Sequence, residues 1–132
     1  LQHGDAPAVD YEALIRSIGV EHVTVVDPWN LKQVRQAVKA ALAHPGPAVV
    51  IAHRACALLP EEKGRTHTPY VVDTEACIQC DYCMQAGCPA IVWEGDYPEI
   101  RDWVCIGCDI CAQLCPVDAI HPVEAAPVQL EV

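Results

Sequence analysis

Two copies of one cysteine pattern constrain this chain more than any other feature of its 132 residues. Eight of the nine cysteines lie in these copies. The first reads C-x2-C-x2-C-x4-C-P from Cys77 to Pro89, and the second reads C-x2-C-x2-C-x3-C-P from Cys105 to Pro116, 28 positions later. Each copy closes on an Ala-Ile pair. This duplication predicts two related sites within one domain of pseudo-twofold symmetry.

Three thiolates spaced two residues apart suit an iron–sulfur cluster, because thiolate is a soft ligand and a short loop can wrap around the cluster. The stretch resembles bacterial two-cluster ferredoxins, in which the fourth cysteine of each run binds the other cluster. The resemblance implies two [4Fe-4S] clusters. Their expected ligands are Cys77, Cys80, Cys83 and Cys115 for cluster I, and Cys105, Cys108, Cys111 and Cys88 for cluster II. The prolines after the fourth cysteines are expected to set the turn that aims those thiolates.

Other uses of the cysteines explain less of the pattern. Structural zinc sites would need only C-x2-C pairs, which leaves the third cysteine and the prolines unexplained. Disulfides fit poorly with a reducing cytoplasm. Tyr82 and Ile110 are expected to lie against the clusters, although packing of a small core explains them equally well. Asp81 and Asp109 stand where ferredoxins often have glycine, and they either lower the cluster potentials through charge or are solvated and silent.

The net charge of −10 comes from the second half of the chain. Residues 1–72 hold seven acidic and seven basic side chains, whereas residues 73–132 hold eleven acidic side chains and one base, Arg101. Binding of nucleic acid needs a basic face, so nucleic acid is not an expected partner. The acidic half suits docking to a basic patch on a protein, and it suits simple solubility equally well.

No apolar run is long enough to cross a bilayer, and no signal-peptide pattern is present. The sequence therefore predicts a cytoplasmic protein with no membrane partner. Leu1 in place of a methionine is what we expect of a chain that begins inside a longer gene product or after processing.

The region before residue 54 predicts the order helix, strand, helix, strand. Asp10 and Gly19 bracket a first helix as its N-cap and C-cap residues. A valine-rich strand follows at 23–26, and a cap within 27–30 begins a second helix that Pro45 stops. The continuously apolar run 48–52 is typical of a strand buried on both faces of a parallel sheet.

Two strands and two helices cannot cover both faces of a parallel sheet. We therefore expect residues 1–59 to be part of a larger α/β domain, completed by an upstream portion or by a partner subunit. The alternative is a self-sufficient miniature domain, which would have a marginal core.

Composition divides the chain further. Residues 60–69 are polar and bracketed by prolines, which is typical of a linker. Residues 70–123 form the predicted two-cluster ferredoxin domain, with a hairpin turn at Gly95, and residues 124–132 form a C-terminal tail.

A few residues outside the cysteine runs are functional candidates. Cys56 follows the second strand, where the ends of parallel strands commonly line a ligand crevice, and it is either a functional thiol or, as for most free cysteines, a buried small apolar residue. The six histidines lack metal-binding spacing, and only His53 is a candidate. Capping and packing explain Asp27 and Trp29.

Taken together, the chain resembles the C-terminal segment of the alpha subunit of indolepyruvate ferredoxin oxidoreductases, which are thiamine-diphosphate-dependent 2-oxoacid:ferredoxin oxidoreductases. The matching stretches are Val25–Pro28, Gly46–Leu58 and the double cysteine run. The resemblance implies an α+β chain, in which a thiamine-diphosphate-domain-like β-α-β segment precedes a ferredoxin-like domain with two [4Fe-4S] clusters.

In that family the implied reaction is oxidative decarboxylation of an arylpyruvate with coenzyme A. The resemblance implies that this chain relays single electrons from the thiamine-bound intermediate to an external ferredoxin, with no catalytic residue of its own. The Gly-Asp-Gly motif for diphosphate and magnesium does not occur here. Thiamine diphosphate and Mg²⁺ are therefore expected on other segments or subunits of the complex, and this chain alone is not expected to bind them or to be catalytic.

Two alternatives stay open. The chain is a stand-alone ferredoxin-like carrier or relay subunit that docks to another redox enzyme, or it is an assembly subunit whose clusters are purely structural. The identity of the partner chains separates the first alternative from the oxidoreductase hypothesis, and redox activity separates the second.

Overall fold

The computed structural model describes residues 8–63 and 68–123. It divides the chain into two compact units, with the division after Arg54. The tail predicted at 124–132 lies outside the described residues, as do residues 64–67 of the predicted linker. No helix in the described ranges is both long and apolar enough to cross a membrane.

The first unit has the predicted order of elements. Helix α1 is followed by strand β1, helix α2 and strand β2, with bounds Tyr11–Ser17, His22–Val26, Leu31–Ala43 and Ala48–Ala52. The two strands pair in parallel, with Val23 opposite Val49 and Val26 opposite Ala52. The prediction of a parallel β-α-β arrangement is therefore confirmed.

Local side chains explain where the two helices begin. The Asp10 carboxylate accepts a hydrogen bond from the amide of Ala13 at 3.0 Å, and the Asn30 side chain accepts one from the amide of Gln33 at 2.9 Å. Both contacts satisfy an amide that the first helical turn leaves without a partner. Gly19 follows α1 with φ 93°, a conformation that glycine adopts without steric cost.

Burial in this unit is shallower than the sequence predicts. Val23, Val26 and Ala37 are buried, but strand β2 is only partly buried along its length, so the described residues of this chain do not supply the cover expected on both faces of the strand. No residue of α1 is buried, Leu14 of this helix is 52% exposed, and Ile18, which follows the helix, is 74% exposed. The two helices thus leave much of the apolar surface of this unit in contact with solvent.

The second unit contains short elements around the cysteine runs. A single helical turn, α3, begins the stretch predicted as a linker, and a 3-10 turn follows the first three cysteines. The remaining elements are four short strands and one helix. Their bounds are Pro60–Lys63 for α3, Tyr70–Val72 for β3, Met84–Ala86 for the 3-10 turn, Ile91–Glu94 for β4, Tyr97–Ile100 for β5, Ile110–Leu114 for α4 and Ile120–Pro122 for β6.

These elements form two antiparallel pairs. Strands β4 and β5 form the predicted hairpin, closed by Gly95 with φ 65° and Asp96. Strand β3 pairs with β6, so the two ends of the domain meet. The buried core between the pairs consists of two cysteines and two isoleucines: Cys83, Ile91, Cys111 and Ile120. Thiols therefore take part in the core itself.

Two candidate iron–sulfur sites

One cavity of the second unit gathers cysteines from both runs. It is lined by Cys77, Cys80, Cys83 and Cys115 and has a volume of about 20 Å³. Strand β5 closes one side through the buried Pro98. Cys77, Cys80 and Cys83 come from the loop of the first run. Cys115 belongs to the second run and directly follows helix α4.

A second cavity gathers the other four. Cys88, Cys105, Cys108 and Cys111 line a space of about 290 Å³, together with apolar side chains from the hairpin. Each set of four that the sequence predicts for one cluster is therefore brought to one cavity. Each cavity takes three cysteines from one run and its fourth cysteine from the other run, as expected for a domain built from two interlocked copies. The ligand assignment itself remains a prediction.

The thiols of each set do not converge on one point. Within residues 8–63 and 68–123, no three His, Cys, Asp or Glu side chains come together closely enough to hold a single metal ion. Four zinc ligands would share one tetrahedral centre, whereas the thiolates of a [4Fe-4S] cluster each bind a different iron. The spread of the thiols around an apolar cavity fits a cluster better than a zinc ion.

The backbone of the two loops repeats along with the sequence. Gln79 and Gly107, which correspond in the two runs, have φ values of 57° and 66°. Asp81 and Asp109 also correspond, with φ values of 63° and 66°. Left-handed residues between the cysteines let a short loop curl so that successive thiols face the same cavity. This explains why glycine is common at these positions in related loops and why aspartate is tolerated there.

Burial keeps the central thiols protonated in the absence of a metal. Burial raises the pKa of Cys83, and it raises the pKa of Cys111 to about 12. A buried thiolate needs compensation, and coordination to a metal provides it because the metal displaces the proton. At the fourth position, the amide of Ala119 donates to Sγ of Cys115 at 3.2 Å. Cys83 and Cys111 are therefore poorly suited to act as free nucleophiles.

Asp109 is held by side chains on both sides. The Tyr70 hydroxyl of β3 hydrogen-bonds to its carboxylate, and burial together with this contact raises the pKa of Tyr70 to about 12. Gln113 Nε2 also donates to Asp109 Oδ2, at 3.3 Å. Sequence reasoning missed Tyr70, whose only signal was its place at the start of a strand that precedes the cysteines.

The structure distinguishes the two side chains expected against the clusters. Ile110 lines the second cavity as predicted. Tyr82 is 49% exposed and does not line the first cavity, so the prediction is wrong for this residue. A second residue missed from the sequence is Gln79, whose Nε2 donates to the main-chain oxygen of Asp96 at 2.9 Å.

A separate cluster of side chains lies at the carboxyl ends of β1 and β2. Arg54 pairs with Asp27 at 2.6 Å and stacks its guanidinium on Trp29, with Cζ 3.5 Å from the ring centroid. Asp27 Oδ1 also accepts from the amide of Trp29 at 2.9 Å. The sequence predicted only capping and packing for Asp27 and Trp29, so their joint contact with Arg54 was missed.

The two other candidates, His53 and Cys56, are both exposed. His53 is exposed, and its main-chain amide extends the strand pairing by donating to Val26 at 2.9 Å. Cys56 is exposed, so its interpretation as a buried apolar residue is wrong. The chain has already left strand β2 at that point, which places the thiol outside the sheet core.

Family models match both parts of the chain. Residues 2–52 match the thiamine pyrophosphate enzyme C-terminal TPP binding domain, and residues 69–116 match the 4Fe-4S dicluster domain. The second match confirms the prediction of a domain for two [4Fe-4S] clusters. Together with the mixture of helices and strands, the matches confirm the predicted combination of an α/β segment and a cluster domain.

Curated relatives extend over most of the chain. The indolepyruvate oxidoreductase subunit IorA of Archaeoglobus fulgidus is 38% identical over 121 residues, which cover 89% of this chain and 19% of the relative. IorA of Methanothermobacter marburgensis is 40% identical over 119 residues, with the same shares. Pyruvate synthase subunit PorD of the same organism is 42% identical over 56 residues, which cover 42% of this chain and 65% of the relative.

This chain thus spans about a fifth of the length of the IorA relatives. No solved structure matches it. The IorA alignments cover 89% of this chain and so include both its α/β segment and its double cysteine run, whereas the PorD alignment covers 42% of it. The chain belongs to the IorA family of indolepyruvate oxidoreductase subunits and corresponds to the C-terminal segment of such a subunit.

Proposed function

We propose that this chain is the electron-transfer segment of a 2-oxoacid:ferredoxin oxidoreductase that acts on indolepyruvate or a related arylpyruvate. The observation that carries the proposal is the gathering of each predicted set of four cysteines around its own cavity, in a chain related to IorA over 89% of its length. When bound, two [4Fe-4S] clusters supply one-electron carriers for a reaction that releases two electrons.

The proposed ligands are Cys77, Cys80, Cys83 and Cys115 for cluster I, and Cys105, Cys108, Cys111 and Cys88 for cluster II. The residues around them exclude water and shape the loops. Pro98 covers one side of the first cavity, and Ile110 covers part of the second. The matching left-handed residues of the two loops support a pseudo-twofold arrangement of the domain.

The first unit is proposed to dock against the part of the complex that carries thiamine diphosphate and Mg²⁺. Leu14 of α1, Ile18 just after it and Val25 of β1 are exposed apolar side chains, so this unit has surface to bury. Residues 2–52 match only the C-terminal TPP binding domain model, and the Gly-Asp-Gly motif is absent. This chain alone is therefore not expected to bind thiamine diphosphate, and catalysis belongs to the assembly.

The proposed partners are the segments or subunits that hold the thiamine site and an external ferredoxin. A cytoplasmic location is part of the same proposal, because thiols that are to bind clusters must stay reduced, and a reducing compartment keeps them so. The alternative of a stand-alone carrier draws support from the match to PorD, which covers the cluster region and 65% of that smaller subunit.

The test of the function is indolepyruvate- and coenzyme A-dependent dye reduction by the native complex, purified without oxygen and with every copurifying chain identified. Activity together with bound thiamine diphosphate is the expected result. Absence of activity with any 2-oxoacid, with no thiamine-binding partner, would replace the proposal with the carrier alternative.

The test of the ligands uses a matched pair of variants, Cys115→Ser and Cys88→Ser. Cys115→Ser is expected to disturb the EPR signal of the cluster held by Cys77, Cys80 and Cys83, and Cys88→Ser is expected to disturb the other signal. If each variant instead damages the cluster of its own run, the exchanged assignment is wrong. Cys56→Ser is the control and should leave both signals unchanged, since Cys56 lines neither cavity.

A further inference from the structure

Asp81 and Asp109 are equivalent by sequence and by backbone, yet their carboxylates have different surroundings. Both border the cavity of their own cysteine run and have φ values of 63° and 66°. Asp81 is exposed, and its carboxylate has no hydrogen-bond or ion-pair partner among the residues that the structure describes. Asp109 is partly buried and has two partners.

Asp109 is held against its cavity by residues on two elements. Tyr70 reaches its carboxylate from β3 and lines the same cavity as Cys108 and Cys111. Gln113 reaches it from α4 at 3.3 Å. A tyrosine hydroxyl is protonated at neutral pH, so Tyr70 is the donor and the carboxylate is the acceptor. The contact therefore fixes the position of the carboxylate beside the cavity.

The carboxylate of Asp109 has no role in capping that would explain its placement. Asp109 precedes α4, but its side chain makes no cap hydrogen bond to the helix. Asp10, which precedes α1, does make such a bond. The side chain of Asp109 is thus directed to Tyr70 and Gln113 instead of the first turn of its helix.

A fixed negative charge beside a cluster disfavours the addition of an electron, and the effect grows as the surroundings become less polar. An exposed carboxylate is screened by water and salt, and its effect is small. The two aspartates are therefore expected to act unequally, although a reader of the sequence alone would treat them alike.

We propose that Asp109, positioned by Tyr70, lowers the reduction potential of the cluster bound by Cys88, Cys105, Cys108 and Cys111, while Asp81 leaves the potential of the other cluster nearly unchanged. This inference rests on the proposed ligation of the two clusters. Asp109 and Tyr70 are then the residues that make the two halves of the duplicated domain unequal as electron carriers. The cluster beside Asp109 is the stronger reductant of the two.

The test is a redox titration, followed by EPR, of the full chain loaded with iron and sulfide. Asp109→Asn keeps the size of the side chain and an acceptor oxygen for Tyr70, so the charge is the main change. This variant should raise the reduction potential of one cluster. At a fixed applied potential, its ratio of reduced to oxidised cluster should rise about tenfold, which corresponds to 59 mV for a one-electron couple. Asp81→Asn is the matched control and should change the ratio of the other signal less than about twofold.

Tyr70→Phe tests the positioning role. The ring still fills its place beside the cavity, but the carboxylate loses its donor and becomes better solvated. The same signal should move in the same direction as in Asp109→Asn, by a smaller factor, and the double variant should move it no further than Asp109→Asn alone. If Tyr70→Phe shifts the potential equally in the wild type and in Asp109→Asn, Tyr70 does not act through Asp109.

The outcomes separate this inference from the proposed function. Two intact clusters with equal shifts in Asp81→Asn and Asp109→Asn, or with no shift in either, overturn the inference alone. A wild-type chain that binds fewer than two [4Fe-4S] clusters overturns both. Should Asp109→Asn fail to retain its cluster, Tyr70→Phe decides, since it leaves both loops unchanged.

Discussion

The side-chain amide of Gln79 donates a hydrogen bond to the main-chain oxygen of Asp96 at 2.9 Å, which joins the first cysteine loop to the tip of the hairpin. Gln79 makes this contact from a left-handed conformation, φ 57°, that costs a non-glycine residue about 1–2 kcal/mol. The hydrogen bond contributes about 0.5–1.5 kcal/mol, so the two effects nearly cancel.

This balance predicts an order of stability for variants of Gln79. Gln79→Ala keeps the backbone strain and loses the hydrogen bond, so it should lower the free energy of unfolding by about 1 kcal/mol. Gln79→Gly loses the bond and relieves the strain, so it should be close to the wild type. Guanidinium unfolding of the cluster-loaded chain measures the order. Equal losses in both variants would show that the backbone at this position is not strained.

Arg54 is predicted to stabilise the first unit through its two contacts. The ion pair with Asp27 is 36–44% exposed, which limits it to about 0–1 kcal/mol, and the contact with Trp29 contributes about 0.5–1 kcal/mol. Arg54→Ala should therefore lower the free energy of unfolding by about 1 kcal/mol in urea. Arg54→Lys should recover only part of it, because lysine lacks the planar group that stacks on the ring.

The control for Arg54 is Arg35→Ala, which removes an exposed arginine from α2. It should change the urea midpoint little. If Arg54→Lys unfolds at the same urea concentration as the wild type, stacking on Trp29 does not contribute to stability.

Glu99 is predicted to make stability depend on pH. The neighbouring Glu94, through a hydrogen bond and its charge, raises the pKa of Glu99 above its usual range, with a smaller opposing effect of Arg101. A carboxyl group whose pKa rises on folding destabilises the folded state when it is ionised, and this penalty disappears as the pH falls through the raised pKa. Glu99→Gln should therefore be more stable than the wild type at neutral pH.

The advantage of Glu99→Gln should shrink as the pH falls towards the ordinary glutamate pKa of about 4.3. Thermal unfolding at several pH values measures it. Glu75→Gln, which removes another exposed glutamate of the same domain, serves as the control for net charge. An advantage that stays constant with pH would exclude the repulsion between Glu94 and Glu99 as its cause.

Gly95 is predicted to be the critical residue of the hairpin turn. Its φ is 65°, while Asp96 has no positive φ, which is the pattern of a turn with glycine at its first central position. Gly95→Ala should destabilise the domain by about 1 kcal/mol or more, although no atom lies within 4 Å of the added methyl group. Asp96→Ala should have little effect on the same unfolding midpoint. A neutral Gly95→Ala would show that the turn changes shape at no cost.

Local patterns were enough to predict much of this chain. The capping residues Asp10 and Asn30, the apolar run of β2 and the glycine of the hairpin each act within a few residues of chain, so their effects can be read from the sequence. The sets of cysteines could also be predicted, because a duplicated run of four thiols is satisfied by few chemistries. The depth of burial of β2 and of Cys56 could not, since burial depends on what packs against a segment.

The amino-acid sequence by itself predicted which cysteines line each cavity, and that the chain joins a β-α-β segment to a two-cluster domain. Only the tertiary structure decided how equivalent residues differ: Tyr70 meets Asp109, whereas no counterpart among the described residues meets Asp81, and Gln79 reaches the hairpin from a position that is glycine in the other copy. The physical reason is that a repeat fixes the local backbone, whereas the surroundings of a side chain depend on residues brought close by folding from distant parts of the chain.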